Sequence, residues 1–141
     1  MPAGTHWLTM IDKIIERRLK EKCREDAKHF DTVAEGILLK RGAVNRAWKK
    51  RYVALGELPD GYGFHMFYFT SKDNAASFFR GDVHAKAKGG ITIGSNIRRM
   101  TTKEDDLIFE LDDYSGQKVR TWVFKAISRG EFTSYVEVLQ S

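Results

Sequence analysis

A mainly β domain is the fold class this sequence predicts: a seven-stranded antiparallel barrel or sandwich capped by a C-terminal α-helix, with an N-terminal amphipathic helix ahead of it. Three observations point there. After Asp31, short runs rich in β-branched and aromatic residues alternate with period two. Turns of Gly, Asp, Asn and Ser separate those runs. Before Asp31 the pattern is instead one long stripe of helical period, free of Gly and Pro.

In chain order, the first element is the helix expected from Leu8 to Phe30. Leu8, Ile11, Ile15, Leu19, Cys23, Ala27 and Phe30 recur every three or four positions, a mean step of 3.67 that follows the ordinary helix period better than a heptad. Thr5 can cap its start. Strands are expected near 36–42, 48–55, 63–70, 76–80, 90–93, 107–112 and 119–126. After Gly130, Phe132, Tyr135, Val136 and Leu139 fall on one face of a closing helix.

Particular runs carry a further likeness. Glu35-Gly36-Ile37-Leu38-Leu39-Lys40-Arg41-Gly42, then Trp48-Lys49-Lys50-Arg51-Tyr52-Val53-Ala54-Leu55, then Met66-Phe67-Tyr68-Phe69 come in this order. Gly90-Ile91-Thr92-Ile93, Leu107-Ile108-Phe109-Glu110-Leu111 and Thr121-Trp122-Val123-Phe124-Lys125-Ala126 follow. The series resembles the pleckstrin homology (PH) domain from about residue 35 to 140. It divides the chain into an N-terminal helical extension, 1–34, and a PH-like domain, 35–141. One departure stands out: the family's closing helix usually carries a tryptophan, and Tyr135 takes that position here. A buried tyrosine needs a partner for its hydroxyl or must reach solvent at the rim.

Composition narrows the function classes. The chain has 141 residues, enough for one core, and its single cysteine excludes an intrachain disulfide framework or a cysteine-rich zinc site. Its longest apolar runs fall far short of the ~20 residues of a bilayer span. With no secretory leader, the expected setting is cytoplasmic. The four histidines show no metal-ligand spacing, and no nucleophile motif or phosphate-binding Gly loop occurs, so neither an enzyme nor a metal or other cofactor is expected. Core strand positions account for Tyr68, Phe109, Trp122 and Phe124, which with a net charge of only +5 argues against nucleic acid.

That charge is unevenly placed. Residues 1–35, 36–90 and 91–141 carry 0, +6 and −1. Lys40, Arg41, Arg46, Lys49, Lys50 and Arg51 fall within twelve residues that contain no acid. Strand alternation puts Leu38 and Lys40 on one face, and Lys49 and Arg51 on the face of Val53 and Leu55. The two strands run in opposite directions about their loop, so the inward face is apolar deep in the sheet and cationic near the loop. Cations concentrated this way repel one another until an anion lies between them. Acidic Glu104-Asp105-Asp106 and Asp112-Asp113 are expected in turns away from that mouth.

The resemblance implies what the anion is: in family members with this motif, an inositol phospholipid headgroup. It implies Arg51 as a forked phosphate contact, Lys40 and Lys49 as point charges, and Tyr68 as a hydroxyl donor. Arg46 in the loop and Lys72 in Ser71-Lys72-Asp73-Asn74 are further candidates. The function expected is a non-catalytic, peripherally membrane-associated signalling module that recruits its protein to phosphoinositide-bearing membrane. The alternative is a protein-interaction scaffold that docks or dimerises through the barrel surface and the N-terminal helix around Ile11, Ile14, Ile15 and Leu19.

Overall fold

The computed structural model describes residues 30–42, 46–57 and 63–140. The chain runs through β1 (Asp31–Arg41), β2 (Trp48–Glu57) and β3 (Phe64–Phe69), then helix α1 (Lys72–Phe79) and β4 (Gly89–Ile93). It continues through β5 (Ile97–Lys103), a 3-10 turn (Glu104–Asp106), β6 (Ile108–Asp113), β7 (Arg120–Ala126) and helix α2 (Arg129–Gln140). The seven strands form one sheet in the order β4-β3-β2-β1-β7-β6-β5, and every pairing is antiparallel. The helix expected over 8–30 lies outside the described residues except for Phe30.

Alternation along the strands sorts side chains onto two faces. Leu38, Val53, Leu55, Met66, Phe109, Leu111 and Phe124 are at most 1% exposed and meet in one inner core, so both halves of the sheet wrap a shared interior. Burying each such side chain contributes about 1.5–3 kcal/mol. Phe109 and Phe124 stack there at 5.4 Å. Tyr52 and Ala54 point the other way, into a second cluster with Phe69, Ala75, Phe78 and Ala85. Strand β2 is therefore covered on both faces, which explains its unbroken apolar run from Tyr52 to Leu55.

The segment expected as a strand over 76–80 is instead the end of α1. The Ser71 side chain caps that helix by accepting from the Asn74 amide at 3.1 Å, and Asp73 occupies its first turn. Phe78 and Phe79 resemble strand residues, but they serve a helix that packs on Phe67 and Phe69. Phe30 stacks on Phe79 at 5.1 Å and joins this outer cluster. Conversely, Ile97–Lys103 was not among the expected strands. Its adjacent Arg98 and Arg99 break the alternation at a register shift, yet Ile97 and Met100 still pack on the inner core. The expected count of seven strands holds because these two differences offset each other.

Helix α2 closes the core with Phe132, Tyr135 and Val136, as its spacing predicts. Tyr135 is 1% exposed and finds its partner inside: its hydroxyl donates to the Val53 carbonyl at 2.9 Å. Burial and the nearby Glu131 push that phenol far above the usual tyrosine range. Tyr52, whose burial and hydrogen bond to Glu35 at 2.7 Å act together, is pushed up to about 12. An unfolded tyrosine ionises near about 10. Both phenols thus hold their protons longer in the folded state, and the stability this contributes is complete below about pH 10 and lost as pH rises further. Unfolding free energy followed by urea titration is expected to fall from pH 10 toward 12, with a shallower slope in Tyr52→Phe.

Candidate anion-binding cleft

The β1–β2 hairpin positions the cationic residues. Its register sets Lys40 directly opposite Lys49 and Leu38 opposite Arg51, with Gly36 opposite Val53 one step deeper. Like charges placed directly across an antiparallel pair are destabilising, so this arrangement works against the fold's own stability. Strand β3 contributes Tyr68, which pairs with Val53 on one side and Gly89 on the other.

Lys40, Lys49, Arg51 and Tyr68 line a single cleft of about 150 Å³ at the loop end of the inward face, together with Gly42 and Lys88. Lys40 Nζ lies 4.9 Å from the Tyr68 ring centroid and 5.3 Å from that of Trp122, so two aromatic faces hold the ammonium in place. Burial first, then Arg120, Arg51, Lys49 and Lys88, lower the Lys40 pKa from its ordinary value. Among the described residues, no carboxylate forms an ion pair with any of these five cations. The cleft is a positive concavity with no acid among its described lining residues.

Two features support it from behind. The Tyr68 phenol lies over Gly89, where a Cβ would collide with its hydroxyl and Cζ. The Trp122 indole donates to Asp113 at 3.4 Å, and Asp113 also accepts from Asn96 and the Ser115 amide, each at 2.9 Å. Burial opposes ionisation of Asp113, but these hydrogen bonds outweigh it and hold the carboxyl below the usual range. Asp113 was expected in a turn away from the basic mouth. It ends β6, and it orients the tryptophan against which Lys40 rests.

The other two candidates lie elsewhere. Lys72 opens α1, exposed, and does not line the cleft. Arg46 is exposed and lines a wider neighbouring cleft of about 460 Å³ with Arg41, Lys118 and Arg120. Lys88 was missing from the sequence reading. A backbone hydrogen bond from its amide to the Tyr68 carbonyl at 2.8 Å sets it at the mouth, and no local pattern announces a contact across that connection.

The family model for the PH domain matches residues 32–141. The chain belongs to the PH domain family. Solved PH domains share its fold at low identity. The C-terminal PH domain of pleckstrin in complex with D-myo-Ins(1,2,3,4,5)P5 is 20% identical, with a TM-score of 0.53, covering 77% of this chain and 95% of that one. The Slm1-PH domain in complex with inositol-4-phosphate is 19% identical, with a TM-score of 0.58, covering 79% and 95%. No curated protein matches the sequence. Among the described residues of this PH domain, no helix is long and apolar enough to cross a membrane.

Proposed function

We propose that this PH domain is a non-catalytic module that binds phosphoinositide headgroups through Lys40, Lys49, Arg51 and Tyr68 and recruits its protein to the membrane surface. The observation that carries the reading is the convergence of these four side chains, with Lys88, on one cleft whose described lining residues include no acid. Arg51 supplies a planar fork for phosphate, the lysines supply point charges, and the Tyr68 hydroxyl supplies a directional donor. Each such charge-assisted contact contributes about 1.5–3 kcal/mol, against about 1 for a cation merely near an anionic leaflet. The PH domains of pleckstrin and Slm1, solved in complex with inositol phosphates, support the ligand class.

The test compares vesicles of equal surface charge. Sedimentation at near-physiological salt is expected to retain the chain on phosphoinositide vesicles and not on phosphatidylserine vesicles. Equal retention on both contradicts the reading. Gly89→Ala is a sensitive probe of the same site, because its new methyl displaces the Tyr68 ring. It is expected to weaken phosphoinositide binding on the order of tenfold, the loss of one hydrogen bond to a charged acceptor. Unchanged binding would remove Tyr68 from the contact set.

A further inference from the structure

Strand β2 presents small residues on its outer face. Ala54 and Gly56 lie there by alternation, between Thr32 and Glu35 of β1 on one side and His65 and Phe67 of β3 on the other. Helix α1 covers this face only in part: its 8 residues rise about 12 Å, against roughly 33 Å for the 10 residues of β2. Ile37, Phe67, Phe79 and Ala87 pack on the outer cluster yet stay only half-buried.

Phe30 enters the trough that Gly56 leaves. Its ring stacks on Phe79 at 5.1 Å and meets Phe67 edge-on at 5.3 Å, and its Cζ lies 2.9 Å from where a Gly56 Cβ would stand. A side chain at position 56 would push the ring out, so the glycine and the phenylalanine fit as a pair. Phe30 is also the last member of the stripe Leu8, Ile11, Ile15, Leu19, Cys23, Ala27 and Phe30, and β1 begins at the very next residue, Asp31. One end of the stripe is therefore seated on the outer face with no linker between it and the sheet.

We propose that this stripe, as an amphipathic helix of the same chain, is what covers the rest of that face. Ala27, Cys23 and Leu19 continue from the Phe30 seat over Phe67 and Phe79, beside α1 and on the opposite side of β2 and β3 from the cationic cleft. A segment tethered this closely acts at an effective concentration of about millimolar, which a second copy or a partner arriving from solution has to exceed. The stripe is thus an internal layer of the domain and not a dimerisation surface.

The chain's one cysteine falls within the stripe, so its thiol reports docking directly. The experiment follows the reaction of Cys23 in the full chain with a small maleimide, normalised to free cysteine in the same buffer. The native chain is expected to react at least about tenfold more slowly than the urea-unfolded chain, as a locally opening segment does. Phe30→Ser and Leu19→Ser are expected to abolish that protection, whereas Arg17→Gln, on the opposite helical face, keeps it. Both serine variants lie outside the strands, and circular dichroism confirms that the sheet remains. Equal rates in the native and unfolded chains overturn the proposal, as does protection that survives Phe30→Ser. Light scattering on the same samples is expected to give the monomer mass; protection found only in a dimer makes a second copy the occupant and overturns docking within the chain.

Discussion

Replacing Lys49 and Arg51 together by alanine is expected to lower phosphoinositide vesicle binding by a factor on the order of a hundred or more, with no loss of thermal stability. The size follows from two charge-assisted contacts at the lower end of about 1.5 kcal/mol each. The stability result follows from the register: Lys49 faces Lys40 directly, and Lys49 and Arg51 both act to lower the Lys40 pKa. Removing them relieves repulsion that the fold otherwise carries. Vesicle sedimentation and a thermal melt on the same preparation check both halves. A stable variant that still binds as wild type contradicts the site, and a variant that melts much earlier contradicts the claim that these cations serve a ligand rather than the fold.

The largest expected stability effect is at the opposite end of the barrel. Tyr135→Ala is expected to cost roughly 3–5 kcal/mol, the usual range for emptying a buried aromatic site. Tyr135 is 1% exposed, packs 6.1 Å from the Phe109 ring, and ties α2 to β2 through the Val53 carbonyl. Tyr135→Phe separates the two contributions: it keeps the ring, loses the hydrogen bond, and is expected to cost only about 1 kcal/mol. Urea unfolding of both variants measures the difference. Two equal costs would show that the hydroxyl, not the ring, holds the helix in place.

How far the fold could be read depended on the span over which each pattern is decided. The β1–β2 hairpin was legible because alternation within one hairpin settles which side chains share a face, and Lys40, Lys49, Arg51, Val53 and Leu55 obey it. Helix α1 was misread because Phe78 and Phe79 have strand propensity, while the deciding signals were the Ser71 cap and the Ala75 contact beneath it. Strand β5 was hidden by Arg98-Arg99, exposed positions on a sheet edge where only Ile97 and Met100 need packing. Lys88 depends on Tyr68 across the intervening helix α1, and no local period encodes that pairing. Asp113 meets Trp122 across the β6–β7 hairpin, and was missed because the strand was expected to end at 112, which left Asp113 to the turn.

The proposed site places an inositol phosphate in the cleft of Lys40, Lys49, Arg51 and Tyr68. Titrating the isotopically labelled chain with soluble inositol trisphosphate and following its amide resonances by NMR tests this most directly. Saturable shifts centred on Lys40, Gly42, Lys49, Arg51 and Lys88, absent in Lys49→Ala/Arg51→Ala, are the predicted result. Shifts centred instead on Arg41, Arg46 and Lys118, or no saturable shifts at all, would contradict it.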